Sequence, residues 1–143
     1  MKNIKLLKDD KKFVESFNDE HIRLLLKSCN LKEFVGFRDY IMFILLLDTG
    51  IRLKEIAGLK LEHLNERDKT ILITETKNGY QRFVPVHENT LTLLKRYIKI
   101  RGTVDTDHLF ITDKNEVLAY RGIQARFQHY QKLLNFSKKR PAF

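Results

Sequence analysis

The sequence predicts an α+β domain, predominantly helical, with a small central antiparallel β-hairpin or sheet. Three observations carry this. Apolar residues recur at helical spacing before residue 60, the tract TILITETKNGYQRFVPV switches to strand-forming residues around Asn78-Gly79, and the helical pattern returns after Pro85.

Residues 1–17 are polar and lysine-rich and read as a leader or linker outside the core. Asn18 can cap a first helix, with Asp19 and Glu20 in its first turn complementing the macrodipole and IRLLLKSC following at helical spacing. After the loop NLKEF, residues 35–48 form a second helix whose apolar character all round marks it as buried. Gly50 breaks that helix, and RLKEIAGL restarts as a short one with Ile56 and Leu59 on one face. TILITET and QRFVPV are strands flanking Lys77-Asn78-Gly79-Tyr80, and Asn-Gly tolerates the positive φ of a type I′ turn. ENTLTLLKRYIKIR is helical, HLFIT is extended and precedes a turn at residues 113–115, and YRGIQARFQHYQKLLN is the last helix before a polar tail, FSKKRPAF. No internal repeat or low-complexity tract interrupts this order.

Bulk properties narrow the function classes. The 143 residues suit one domain with a real core. Lys and Arg number 27 against 18 Asp and Glu, a formal charge of +9 that favours a polyanion, nucleic acid ahead of an anionic membrane surface. The charge is uneven: residues 121–143 hold Arg121, Arg126, Lys132, Lys138, Lys139 and Arg140 with no acid, and Lys95, Arg96, Lys99 and Arg101 form a second cluster. Cys29 is the lone cysteine, which excludes a disulfide framework and fits a reducing cytoplasm. The apolar run YIMFILLL is far shorter than the roughly 20 residues a membrane span needs, and charges throughout MKNIKLLKDDKKF argue against a signal peptide.

The residue that asks for an explanation is Arg52, set in the apolar stretch DTGIRLKEIAGL at a helix start. A cation there is mildly unfavourable beside the positive end of the helix dipole. It is either paired with Asp48 or with Glu55, three residues on along the same face, or kept for an anionic ligand; local rules leave both open. Lys77, beside the Asn-Gly turn, reads locally as a solvated charge, and Arg82 as a cross-strand partner for an acid such as Glu75. The five histidines (His21, His63, His87, His108, His129) make no pair at metal-ligand spacing, so no metal site is expected. Neither a Gly-rich phosphate loop nor a Gly-x-Ser-x-Gly elbow is present.

Taken in order, these segments resemble the catalytic domain of the tyrosine recombinase, or phage integrase, family. Thr49, Gly50, Arg52, Glu55, Ile56 and Leu59 match its Thr-Gly-x-Arg-x-x-Glu-aliphatic-x-x-Leu signature. Lys77, Arg82 and Val84-Pro85-Val86 match its hairpin lysine, return-strand arginine and Val-Pro-aliphatic ending. FNDEHIRLLL and FRDYIMFILLLDTG look like its first two catalytic-domain helices, and YRGIQARFQHYQKLL like the DNA-facing helix before the second half of the active site, so the likeness runs from about residue 17.

The resemblance implies cleavage and rejoining of double-stranded DNA through a 3′-phosphotyrosyl intermediate, in integration or excision of a prophage or transposon, without metal or nucleotide cofactor. Arg52 would stabilise charge on the non-bridging phosphate oxygens through its planar fork, and Lys77 would protonate the leaving 5′-oxygen as general acid. Glu55 would orient Arg52, so a paired arginine and a catalytic one are no longer alternatives. Arg121, Arg126 and Lys132 would meet DNA phosphates, together with Arg82, Lys95 and Arg96. Full-length members are expected to assemble as tetramers on DNA, in a bacterial cytoplasm and away from any membrane.

The family also needs a His-x-x-Arg motif, a further His or Trp, and the attacking tyrosine. If Pro141 aligns with the proline that often precedes that motif, Ala142 takes the histidine's place; otherwise the motif begins after Phe143. Residues 18–143 are therefore expected to be a partial catalytic domain, inactive alone, with a non-catalytic DNA-binding protein on the same scaffold as the alternative. His129-Tyr130-Gln131-Lys132 imitates His-x-x-Lys but sits inside the preceding helix, and Tyr40, Tyr80, Tyr97, Tyr120 and Tyr130 match no nucleophile context. Incubation with a suicide DNA duplex carrying a family attachment site should leave no covalent adduct. An adduct through any of these tyrosines would contradict the assignment.

Overall fold

A helix as apolar as FVGFRDYIMFILLLDT has to be enclosed rather than laid on a surface. The computed structural model, which describes residues 19–74 and 79–138, closes the chain around it. That helix is α2 (Phe34–Thr49), preceded by α1 (Asp19–Lys27) and followed by the short α3 (Leu53–Ala57). A 3₁₀ turn (Leu61–His63) leads into strands β1 (Leu64–Asn65), β2 (Thr70–Ile73) and β3 (Arg82–Pro85), and α4 (Glu88–Arg101) and α5 (Tyr120–Lys138) complete the order. Helix α4 packs on α2, while α1 and α3 both pack on α5.

Ile41, Met42, Phe43, Leu45 and Leu46 of α2 are all buried. Phe43 lies 4.6 Å from Phe127 and 5.1 Å, edge-on, from Tyr130, both on α5. Tyr97 of α4 sits between Phe34 at 5.9 Å and Phe110 at 5.3 Å, in offset geometries that suit aromatic quadrupoles. Gly36 admits the loop before α2: a Cβ there would run into the Asn30 backbone carbonyl.

The antiparallel sheet has the order β1-β2-β3. Ile71 pairs with Val84 and Ile73 with Arg82, while Leu72 pairs with Phe83 on the opposite face. Ile71 and Ile73 are buried and Phe83 is exposed, so one face of the sheet closes on the helices. The two hairpin strands lie where the sequence places them. The Asn78 turn geometry, the N-cap at Asn18 and the carboxylate of Glu75 fall outside the described residues. Three details differ from expectation. Strand β1 has only two residues, too few to show alternation in a sequence. Helix α5 runs three residues into the supposed polar tail, because nothing in Phe136-Ser137-Lys138 stops a helix before Pro141. HLFIT, expected to be extended, instead holds two isolated bridges, Lys60 to His108 and Ile111 to Val117, with bends at Leu109 and Phe110 between them.

The first turns of α2 hold a buried polar knot that its apolar appearance conceals. Asp39 is completely buried beside Arg38. Arg38 donates to Asp39 Oδ1 from Nε (3.1 Å) and Nη2 (2.8 Å), and from Nη1 to the Ile111 carbonyl (3.1 Å). Asp39 Oδ2 accepts from Arg126 Nε and from the Tyr130 hydroxyl, both at 2.9 Å on α5. The knot joins α2 to α5 and to the strand-like segment at Ile111. Replacing Asp39 with Ala would strand the buried Arg38 guanidinium and Tyr130 hydroxyl and take the carboxylate from the half-buried Arg126, so Asp39→Ala should cost about 3–5 kcal/mol in urea denaturation. A loss below about 1 kcal/mol, the range of an exposed ion pair, would contradict this account.

Candidate active site

The turn TGIR fixes Arg52 through backbone geometry. Gly50 ends α2 in the left-handed region, φ 71°, and donates its N–H to the Leu46 carbonyl at 2.8 Å. Thr49 Oγ1 bonds back to Leu45 (2.7 Å), and Ile51 plugs the core. Arg52 then occupies the N-cap of α3 in extended conformation. Its backbone N–H donates to Glu55 Oε1 and its Nη1 to Glu55 Oε2, both at 2.9 Å. Of the pairings the sequence left open, Glu55 is therefore Arg52's partner. Asp48 instead accepts from the backbone N–H of His87 at 3.0 Å and bonds its ring Nδ1, tying the end of α2 to the start of α4.

Glu55 also holds Arg82, which comes from β3. Arg82 Nη1 donates to Oε2 at 2.9 Å and Nη2 to Oε1 at 3.1 Å. Among the described residues the acid that Arg82 holds is Glu55 on α3, within reach because Ile73, its cross-strand neighbour, faces the core beside that helix; Glu75, the partner expected from the sequence, lies outside the described residues. The Glu55 side chain is 1% exposed, Arg52 14% and Arg82 43%. Burial alone would raise the Glu55 carboxyl, but hydrogen bonds from Arg82 and the Arg52 amide, with both positive charges, outweigh it and hold the group below its ordinary value. The Glu55 bond and charge in turn raise Arg82 despite partial burial.

Among the described residues, two guanidiniums stand against one carboxylate, a balance that leaves one positive charge over. Arg52 Nε is buried and, among the described residues, has no hydrogen-bond partner. A buried donor without an acceptor is costly, and an anion at this face of Arg52 would satisfy the donor and the charge together.

The other basic residues fall into distinct settings. Arg121 and Lys132 on α5 are exposed. Arg126 spends its Nε on Asp39 and lies 5.4 Å from the Tyr130 ring. Lys95 reaches Glu66 at 3.5 Å, and Arg96 lies over the Phe37 ring at 5.7 Å. Lys77 lies outside the described residues, in the connection between β2 and β3. Reading from sequence missed the Asp39 knot and the Asp48–His87 tie; for the knot, the signal was an Arg-Asp pair opening an otherwise apolar helix. No helix among the described residues is long and apolar enough to cross a membrane.

Together, a helical domain, a three-stranded sheet and an arginine clasp with surplus positive charge define a site suited to a phosphate group. The model of the phage integrase family matches residues 15–143, and the chain belongs to that family. It is 28% identical over 102 residues to tyrosine recombinase XerC of Psychromonas ingrahamii, covering 69% of this chain and 34% of that protein. It is 31% identical over 101 residues to the TnP I resolvase of Bacillus thuringiensis, covering 68% and 36%. The crystal structure of XerA recombinase superposes with a TM-score of 0.70 at 21% identity, over 87% of this chain and 44% of that one. The Tn1549 transposon integrase in complex with transposon right end DNA gives a TM-score of 0.70 at 20% identity, over 85% and 45%. The chain therefore spans between a third and a half of the length of these relatives.

The clasp makes acid stability a readout of Glu55. Its folded value is depressed, so the unfolded chain binds more protons as pH falls. The stability it contributes is complete above the ordinary glutamate value of about 4.3 and is lost as pH drops through the folded value. Urea midpoints from about pH 6 to about pH 3 should fall less steeply for Glu55→Gln than for the parent, from a lower starting midpoint. Parallel acid limbs would show that the carboxylate is not held as described.

Proposed function

We propose that this chain is the first part of the catalytic domain of a site-specific DNA recombinase, residues 18–143, with residues 1–17 as leader or linker. Arg52 binds the phosphate to be cleaved, Glu55 orients it, and Lys77 gives the leaving 5′-oxygen its proton. The observation that carries this reading is the buried Arg52 Nε, which has no partner among the described residues, in a cluster where those residues leave positive charge over. A phosphodiester supplies both the acceptor and the countercharge, and its transition state supplies more negative charge than its ground state.

Neither buried tyrosine is the attacking group, and Tyr40, Tyr80 and Tyr120 stand in no nucleophile context of the family's motif order. The Tyr130 hydroxyl is buried on Asp39, and burial first, then the Asp39 charge, raises its phenol well above the ordinary value. Burial pushes Tyr97 up to about 12. Neither can present a phenolate to DNA. Arg121 and Lys132, exposed on α5, meet the DNA backbone, with Lys95 and Arg96 on α4 as further phosphate contacts. Arg126 holds Asp39 through one edge of its guanidinium and offers the other to DNA. Assembly as a tetramer on duplex DNA and a place in prophage or transposon movement follow from the same reading. The relatives named above, one of them solved with transposon DNA, support it.

Fluorescence anisotropy with a labelled duplex tests the proposal. Binding should weaken steeply between about 50 and 200 mM salt. Arg52→Gln should weaken it by about tenfold or more, since charge-assisted hydrogen bonds are worth about 1.5–3 kcal/mol. Affinity indifferent to both salt and Arg52 would overturn the assignment.

A further inference from the structure

Arg82 carries more of the site than a surface cation on a strand would. A carboxylate offers about four accepting positions on its two oxygens, and Glu55 fills four: the Arg52 N–H and Nη1, and the Arg82 Nη1 and Nη2. Arg52 and Glu55 lie three residues apart around the start of a five-residue helix, and Arg52 takes one position on each carboxylate oxygen, leaving the second position on each to Arg82. Arg82 approaches from outside that helix. Its strand is registered against β2 through Ile73, which is fully buried, so the fork it presents is fixed by the sheet rather than by α3. Both terminal nitrogens of Arg82 are engaged on Glu55, so a DNA phosphate would meet this half-exposed guanidinium from its Nε side.

We propose that Arg82 is a positioning residue: through the shared Glu55 carboxylate it fixes the Arg52 guanidinium and couples the β2–β3 hairpin to the phosphate site. Its relevance to the reaction rests on Arg52 being the phosphate ligand. The coupling itself is a property of the protein without DNA. Strand β3 is the return strand of the connection that carries Lys77, so a displacement of that strand reaches Arg52 through one carboxylate. The depressed Glu55 and raised Arg82 values agree with this shared arrangement.

The test is a proton–nitrogen correlation spectrum of the arginine Nε–H groups in the whole chain, with the Arg52 signal assigned by its loss in Arg52→Lys. In Arg82→Gln, the Arg52 Nε–H should shift and exchange with water several-fold faster, while backbone amides away from α3 and the hairpin stay in place. Arg82→Lys, which keeps the charge but not the fork, should move the signal part of the way back. An Arg52 signal unchanged in Arg82→Gln would overturn the proposal. If that variant does not fold, an unchanged signal in Arg82→Lys would do the same. Titrating inorganic phosphate into the parent chain separates the two readings. An Arg52 signal insensitive to phosphate counts against the phosphate assignment, whereas the Arg82 dependence is read without phosphate and is decided by the variants alone.

Discussion

One carboxylate organises the candidate site. Glu55 is buried, and a buried anion survives only if its desolvation is offset by close, well-directed partners. Here the partners are two arginines from different elements, one at the cap of α3 and one on β3. That arrangement answers why an arginine stands in an apolar run. Arg52 is paired, but with an acid that a second arginine also neutralises, so the pairing leaves positive charge over rather than cancelling it. A surface ion pair would have had no such remainder.

The same arithmetic recurs at Asp39, where Arg38 and Arg126 share one buried carboxylate with the Tyr130 hydroxyl. There the result is architectural. The knot pins α5 to α2, and α5 packs against α1 and α3, so the helix presenting Arg121 and Lys132 has a fixed relation to the helix that Arg52 caps. Buried polar networks of this kind are costly when incomplete and specific when complete. In both clusters an acid of the interior sets the direction in which an arginine faces.

What could be read from the sequence divides along sequence separation. Helices α2 and α4 and the two hairpin strands were legible because hydrophobic period, Gly50, Pro85 and Asn78-Gly79 are local signals. The Arg52–Glu55 contact, three residues long, was one of the options that local rules left open beside Asp48 and an anionic ligand. Arg82 on Glu55 was not, since the partners are 27 residues apart and nothing in either segment selects the other over Glu75. Asp39 was hidden similarly: Arg126 and Tyr130 lie 87 and 91 residues away. Motif order supplied what local physics could not. It raised Lys77, locally an unremarked turn lysine, to a candidate proton donor, a role that stays a proposal resting on that order.

The central claim is that Glu55 holds Arg52 ready for a phosphate oxygen. A crystal structure of the chain bound to duplex DNA measures this directly. Arg52 Nε should lie within hydrogen-bond distance, about 2.7–3.2 Å, of a non-bridging phosphate oxygen, with Glu55 still accepting from both Arg52 and Arg82. A bound duplex whose phosphates leave Arg52 untouched, or a Glu55 turned away from Arg52 in the complex, would contradict it.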